Sequence, residues 1–308
     1  MFENFFTKPY ELAVANIIQL LPVSLHYAKT YFLTGGKQLR PRLYFEMCTH
    51  LKTTPDINVA ISLELLHNYF LIHDDIMDQD EMRRCKNTLH TEFSKKYSPH
   101  KAMSLALMIG DAVANSAYQH LGQSNLNSQL KSEFYKAIDQ TIQGQTHEFI
   151  NDLIPTLEKL QTWYIQKTAF YSIYLPLILA DTNLPETQDD ILEFSKLLGL
   201  LYQMHNDADE YKNPDSISTD LQNLKVTPIL LLLLDLSPEL KPKILNGEVL
   251  TSDEYQKYLQ IIRSKNLVHL SLQSAHPHYE TAQLLARKLG ISDIPIISKL
   301  LQSFKTTS

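Results

Sequence analysis

An apolar run that leads directly into an acidic cluster is the feature that most constrains the fold of this chain. Residues 65–72 read Leu-Leu-His-Asn-Tyr-Phe-Leu-Ile, and residues 73–78 continue as His-Asp-Asp-Ile-Met-Asp. The run is too apolar for a surface loop and has the density of a helix that faces a core. If the helix continues through Asp78, then Asp74 and Asp78 lie on one face, about one turn apart. The pattern predicts a buried helix that ends in two aligned carboxylates.

These paired carboxylates indicate a site for a divalent cation and a phosphorylated ligand. Two carboxylates so close repel each other, and Mg²⁺ removes that repulsion while it takes further ligands from phosphate oxygens and water. Arg83 and Arg84 follow, and a planar guanidinium binds phosphate oxygens through two parallel hydrogen bonds. Taken by itself, such a cluster also fits a solvated, charge-rich helix end.

A second cationic motif precedes the acidic one. Residues 34–41 read Thr-Gly-Gly-Lys-Gln-Leu-Arg-Pro, which predicts a turn made by two glycines and then a helix start. Lys37 and Arg40 are three residues apart, so we expect them to share a helix face. Alone, this motif fits a solvated helix start equally well.

Taken together, the motifs resemble those of the trans-isoprenyl diphosphate synthases, also called polyprenyl synthetases. Lys167-Thr168-Ala169 and Tyr202-Gln203 follow the motifs above in the order and spacing of that family, so the resemblance runs from about Thr34 to about Pro228. It implies an all-α fold, a single bundle of long helices around a central cavity, in one polyprenyl synthetase domain over residues 1–308.

Composition agrees with the implied fold and limits the function. The chain has 308 residues, is 44% hydrophobic, contains 8 glycines and shows few runs of strand alternation, all of which favours helices. The apolar segment at 228–234 is too short to span a bilayer and predicts a buried helix. A formal charge of −6 argues against a nucleic-acid partner. Two cysteines and the lack of a positively charged secretory start lead us to expect a reducing cytoplasm.

The resemblance also implies an activity and assigns residues to it. The chain would join isopentenyl diphosphate to a short allylic diphosphate, as a homodimer, with three Mg²⁺ ions when substrate is bound. Asp74 and Asp78 would hold metal, with Asp75 supporting them from behind. The residues implied for the allylic diphosphate are Arg83, Lys167, Thr168 and Gln203. Those implied for isopentenyl diphosphate are Lys37, Arg40, His67 and Arg84, and Lys225 matches a further substrate-binding element.

The chain departs from the family at the second acidic motif. Asn206 stands where the first metal-binding aspartate is expected, and an amide oxygen binds Mg²⁺ more weakly than a carboxylate. Asp207 or Glu210 could replace it, because helical spacing places both near Gln203. The glycine and lysine that usually follow are missing from residues 214–219. Cys85 replaces a usual glycine, where either a reactive or a quiet thiol is compatible with the sequence.

Two aromatic residues suggest the length of the product. Tyr69 and Phe70 lie five and four residues before Asp74, one turn along the same helix. In the resembled family such a pair closes the floor of the prenyl tunnel, which implies a C15 product, farnesyl diphosphate, with C10 and C20 as alternatives. Ordinary core packing would also explain two adjacent aromatic residues.

Two other functions remain compatible with these residues. A class I terpene synthase shares the fold and the acidic metal site but uses one diphosphate substrate, and Lys37, Arg40 and Arg84 argue against it. A catalytically weak subunit that binds or regulates an active synthase is the other alternative. Asn206 and the missing glycine and lysine favour it.

Overall fold

The computed structural model describes residues 1–21, 28–33, 36–84, 86–150, 154–181, 187–212 and 218–305. Helices make up nearly all the regular structure in these ranges, so the all-α prediction is confirmed. The strands found in them are β1 (Met82–Arg83) and β2 (Lys86–Asn87), which pair antiparallel. Gly35, Cys85 and residues 214–217, to which sequence interpretations were attached, lie outside the described ranges.

No helix in the described part of the chain combines the length and the apolar character that a membrane crossing requires.

The chain groups into two compact units. The first comprises residues 1–132 and 176–184, and the second comprises residues 133–175 and 185–308. Two helices contain a boundary: α7 (Ser128–Ile150) and α9 (Leu175–Ile178). A single domain over 1–308 stays a prediction.

The first unit is built around one long buried helix. Its helices are α1 (Phe2–Gln19), α2 (Lys29–Leu33), α3 (Leu39–Leu51), α4 (Ile57–Met77), α5 (Leu89–Ser94) and α6 (Pro99–Gln123). Asp56 caps α4 by accepting a hydrogen bond from the Asn58 N–H at 2.9 Å. Leu63, Leu65 and Leu66 are fully buried, and α4 packs along α6, α3 and α1. The predicted buried helix that ends at the acidic motif is confirmed.

The second unit carries a wide helical turn that presents polar residues. The segment Ile165–Tyr174 is π-helical, a conformation often found at functional sites. A Cβ added at Gly199 would lie 2.5 Å from the Ala169 Cα, and one at Gly144 would lie 2.4 Å from the Lys167 N. Glycine at both positions therefore lets the backbones of α7 and of α10 (Gln188–Asp209) approach the segment closely.

The second unit contains a leucine-rich core at residues 221–267 and several further helices. They are α8 (Leu157–Tyr164), α10 (Gln188–Asp209), α11 (Thr219–Gln222), α12 (Pro228–Leu236), α13 (Lys241–Leu245), α14 (Ser252–Ser264), α15 (Leu267–Ser274), α16 (His276–Lys288) and α17 (Pro295–Ser303), with a 3₁₀ turn at Pro238–Leu240. Helix α12 buries Ile229, Leu230 and Leu233. The prediction of a buried helix at 228–234 is thus confirmed.

Candidate active site

The three aspartates of the first acidic motif differ in burial. Helix α4 ends at Met77, and Asp78 continues the turn by donating its N–H to the Asp74 carbonyl at 2.8 Å. The side chains of Asp74 and Asp78 are half-buried, whereas Asp75 is 1% exposed. Burial raises the pKa of Asp75 to about 6. Asp74 and Asp78 are therefore the two carboxylates of the motif that remain accessible.

Asp75 anchors an arginine of the following hairpin. Its carboxylate accepts hydrogen bonds from the Tyr31 hydroxyl at 2.7 Å and from Arg83 Nε. Arg83 also lies 3.5 Å from an Asp80 carboxylate oxygen. The sequence predicts that Arg83 meets a diphosphate, and the structure fixes its guanidinium beside the acidic motif. Tyr31 was not anticipated, because 44 residues separate it from Asp75.

Three of the cationic-subsite candidates come together in the first unit. Burial lowers the pKa of His67 well below its usual range, and the charges of Arg40, Arg84 and Arg83 lower it further. Both effects favour the uncharged imidazole. A Cβ added at Gly36 would lie 3.0 Å from Arg84 Nη1, so the start of the Gly-Lys-Gln-Leu-Arg motif contacts Arg84.

Lys37 corrects the sequence interpretation of this motif. Helix α3 begins at Leu39, and Gln38 before it has a left-handed backbone with φ of 46°. Lys37 therefore precedes the helix and is exposed, whereas Arg40 lies in the first turn and is 5% exposed. The expectation that Lys37 and Arg40 share a helix face is wrong, because the left-handed residue between them interrupts the helical path.

In the second unit, one carboxylate holds two of the predicted lysines. Glu148 lies 2.7 Å from Lys167 Nζ and 3.5 Å from Lys225 Nζ. The Thr168 hydroxyl donates to the Gln203 amide oxygen at 3.2 Å. Lys167 and Thr168 are neighbours in the sequence. These contacts connect them to Lys225, through Glu148, and to Gln203. Glu148 was not anticipated, since it precedes Lys167 by 19 residues and belongs to no motif in the sequence.

Asp207 sits in a buried hydrogen-bond network. Its two oxygens accept from Gln203 Nε2 at 3.0 Å and from the Tyr164 hydroxyl at 2.6 Å. Burial raises the pKa of Asp207 to about 7, with Asp220 as a further cause. On the same helix Asn206 is exposed, and Glu210 follows the helix end half-buried. Both Asp207 oxygens are therefore engaged in hydrogen bonds within the protein.

The aromatic pair predicted to limit product length lies half-buried on α4. The Tyr69 and Phe70 ring centroids are 5.0 Å apart, and the Tyr69 ring lies 4.5 Å from that of His73. His73 Nε2 is 3.7 Å from an Asp111 carboxylate oxygen. Burial, followed by the charge of Asp111, raises the pKa of Tyr69. Tyr69 therefore lies beside His73, the residue that precedes Asp74, and near Asp111 of α6.

The carboxylates of the first acidic motif are the candidate ligands of the predicted magnesium. No group of three histidine, cysteine, aspartate or glutamate side chains with metal-binding geometry occurs among the residues that the structure describes. Two half-buried carboxylates one turn apart nevertheless fit Mg²⁺, which commonly takes one or two protein carboxylates and completes its shell with phosphate oxygens and water. Asp74 and Asp78 are such a pair.

An all-helical chain with an aspartate pair and arginines beside it fits the helical enzymes that act on prenyl diphosphates, and the comparisons with known proteins identify the family. The family described as Polyprenyl synthetase matches residues 22–262. The chain belongs to this polyprenyl synthetase family, and the prediction of a prenyltransferase is confirmed.

Two relatives and one solved structure illustrate the similarity. A short chain isoprenyl diphosphate synthase of Methanocaldococcus jannaschii is 27% identical over 77% of this chain and 75% of its own. A farnesyl diphosphate synthase of Micrococcus luteus is 29% identical over 77% of this chain and 84% of its own. A geranylgeranyl pyrophosphate synthase of Corynebacterium glutamicum, solved with isoprenyl diphosphate and magnesium, has a TM-score of 0.75 at 21% identity, covering 99% and 98% of the two chains. The last similarity shows the shared fold.

Proposed function

We propose that the protein is a Mg²⁺-dependent prenyltransferase that condenses isopentenyl diphosphate with a short allylic diphosphate. The observation that carries the proposal is a second set of cations besides the aspartate pair: Arg84 lies against Gly36, at the start of the motif whose Arg40 is buried. A second cationic subsite serves a second diphosphate substrate. A terpene synthase with one diphosphate substrate would not require it.

The reaction breaks the allylic C–O bond, forms a C–C bond to the isopentenyl unit and releases a proton from that unit. Asp74 and Asp78 would hold Mg²⁺, which when bound neutralises charge on the leaving diphosphate. Arg83, which Asp75 fixes in place, binds the same diphosphate with its guanidinium. Fixed cations placed where negative charge develops lower the barrier because they need no reorganisation.

The polar residues of the second unit are assigned to the allylic diphosphate. Lys167 and Lys225 provide ammonium groups that Glu148 orients. The Gln203 amide is held from both ends, since it accepts from Thr168 and donates to Asp207. Its orientation is therefore set before substrate binds. Such preorganised groups favour the transition state over the free substrate.

The isopentenyl subsite is assigned to cations and a neutral donor. Arg40 and Arg84 supply positive charge, and exposed Lys37 adds a third cation at the start of α3. His67, whose pKa burial lowers, contributes a hydrogen bond without charge. No metal is assigned here, because the isopentenyl diphosphate is not a leaving group.

We further propose three Mg²⁺ ions with substrate bound, of which the ion on α10 is the weakest. Asn206 and Glu210 would hold it, with Asp207 contributing only if its present hydrogen bonds rearrange. The weak metal binding expected at this position of α10 also favours the alternative of a poorly active regulatory subunit. Turnover of the purified protein distinguishes the two functions.

Farnesyl diphosphate is the proposed product. The half-buried Tyr69 and Phe70 rings are available to block a prenyl chain that extends along α4 from Asp74.

A homodimer is also proposed. Helix α7 carries three large side chains at intervals of seven residues, and each is about half exposed: Tyr135, Ile142 and Phe149. Such an exposed apolar face is expected where a helix meets another subunit. The cytoplasmic location stays a prediction from the sequence.

Turnover with defined substrates tests the proposal. Purified protein is incubated with Mg²⁺, dimethylallyl diphosphate and isopentenyl diphosphate together, and with each diphosphate alone. We expect farnesyl diphosphate when both are present, nothing from either alone, and no product after chelation of the metal. Diphosphate release from the allylic substrate alone would indicate a terpene synthase. Inactivity under all conditions would favour the regulatory subunit.

A further inference from the structure

Glu64 is a buried carboxylate that none of the motifs includes. It lies on α4 one turn before His67 and is 4% exposed. Its Oε2 atom has no hydrogen-bond partner among the described residues. A buried carboxylate is expensive unless charge or hydrogen bonds compensate it, so its presence needs a reason.

The compensation comes from the arginines assigned to the isopentenyl subsite. Burial raises the pKa of Glu64, and the positive charges of Arg40 and then Arg84 lower it again. The same carboxylate is one cause of the raised pKa of buried Tyr10. Asn68 donates to the Tyr10 hydroxyl at 2.9 Å and to the Glu64 carbonyl at 2.8 Å. Glu64 thus acts on the arginines through its charge, while neighbouring polar groups hold its helix turn.

Two buried acids of α4, Asp75 and Glu64, are affected by different arginines. Asp75 contacts Arg83 directly, whereas the charges that act on Glu64 are those of Arg40 and Arg84. Arg40 is 5% exposed, and a buried guanidinium that loses a nearby anion is strongly destabilised. Asp75 is therefore the direct partner of Arg83, whereas Glu64 is the buried acid on which the charges of Arg40 and Arg84 act.

We propose that Glu64 is a positioning residue for the second diphosphate subsite, which balances Arg40 and Arg84 while the subsite is empty. This inference rests on the proposed function, because the substrate of that subsite is isopentenyl diphosphate. Without the carboxylate, the two guanidinium groups repel each other and Arg40 turns toward water. The subsite then holds its donors less well, whereas the allylic side, where Asp75 fixes Arg83, is unaffected.

Steady-state kinetics of Glu64→Gln test the inference. We expect the KM for isopentenyl diphosphate to rise at least tenfold, with the KM for the allylic substrate within twofold of wild type. Glu64→Asp restores the charge and should recover most of the loss. The matched control is Glu133→Gln, which neutralises a glutamate that is 7% exposed and pairs with Lys136 at 2.8 Å; both KM values should stay within twofold.

Three results would overturn the inference. They are an unchanged KM for isopentenyl diphosphate, an equal rise in both KM values, and a Glu64→Asp variant no better than Glu64→Gln. If Glu64→Gln does not fold, as judged by circular dichroism, Glu64→Asp carries the test. The shorter acid should raise the isopentenyl KM about threefold and leave the allylic KM unchanged.

A binding measurement separates this inference from the proposed function. Inorganic pyrophosphate is titrated calorimetrically in metal-free buffer, where the aspartate pair has no cation with which to recruit it. We expect Glu64→Gln to bind about tenfold more weakly than wild type and Glu133→Gln to bind equally well. A wild type that binds pyrophosphate but makes no prenyl product refutes the proposed function alone. Equal binding by Glu64→Gln refutes the role of Glu64.

Discussion

Burial decides which aspartate of each acidic motif remains accessible. Asp75 and Asp207 are both buried and each accepts a hydrogen bond from a tyrosine hydroxyl, of Tyr31 at 2.7 Å and Tyr164 at 2.6 Å. Burial raises their pKa values to about 6 and about 7. An acid with a raised pKa and occupied oxygens is a poor metal ligand but a firm support for its neighbours. At the first motif the half-buried Asp74 and Asp78 are therefore the better candidates for metal ligands.

Asp74→Ala and Asp78→Ala should each lower turnover by about a thousandfold or more, because the proposed metal chemistry on α4 depends on both carboxylates. Steady-state rates in Mg²⁺ measure the effect. Circular dichroism should show unchanged helix content, since both side chains are half-buried. Asp139→Ala, at an exposed aspartate of α7, is the control and should keep the wild-type rate. Near-normal rates in both site variants would contradict the proposal that Asp74 and Asp78 hold the metal.

Asn206→Asp should lower the Mg²⁺ concentration for half-maximal activity about threefold or more. The residue is exposed on α10, so a new carboxylate can bind an ion without breaking the Asp207 network. A metal titration of the rate gives the value. Asn223→Asp adds the same charge at another exposed position and should leave the titration unchanged. An unaltered or higher metal requirement in Asn206→Asp would show that this part of α10 does not bind metal.

At the scale of elements, close helix contacts set the position of the acidic motif. Helix α6 passes α4 at Gly110, where an added Cβ would lie 2.5 Å from His73 Nε2. In the second unit, Gly199 gives α10 a similarly close approach to the π-helical segment. At Gly110 the missing side chain leaves room for the His73 imidazole, and at Gly199 it lets the backbone of α10 approach that of Ala169. The residues beside these contacts include His73, next to Asp74, and Ala169, next to Thr168.

Gly110→Ala should therefore reduce activity about tenfold or more and cost about 1–3 kcal/mol of unfolding free energy, because the added methyl group must displace His73. Rates and urea unfolding measure the two effects. Gly122→Ala is the matched control on the same helix, since nothing lies within 4 Å of its added Cβ. It should keep full activity and gain about 0.5–1 kcal/mol. Equal behaviour of the two variants would contradict the steric explanation.

Across the whole molecule, local patterns were readable from the sequence and long-range partners were not. The apolar run before Asp74 was enough to predict α4, because helix periodicity is a local property. Glu148 and Tyr164 could not be anticipated, since their partners lie 19 and 43 residues away. Lys37 was misplaced because a single left-handed residue, Gln38, interrupts an otherwise helical pattern. Contacts between segments that are distant in the sequence could thus be identified only from the structure.

The length of the product is a property of the whole cavity, and Tyr69 and Phe70 are the proposed limit on it. Both rings are half-buried, so their truncation should cost less than the roughly 3–5 kcal/mol of a fully buried ring. The single variants should therefore fold. Phe70 is the stronger candidate, because its spacing of four residues places it on the same helix face as Asp74 and Asp78.

Phe70→Ala or Tyr69→Ala should shift the product from C15 to C20 or longer, because each added isoprene unit needs the space that a ring occupied. Chromatography of the products with isopentenyl diphosphate in excess measures the shift. Phe5→Ala, at a half-buried aromatic residue of α1 whose ring lies 5.1 Å from that of Phe45, controls for the general loss of an aromatic side chain and should leave the length unchanged. If both α4 variants are folded and active but release products of wild-type length, the rings are ordinary packing and the C15 assignment loses its physical basis.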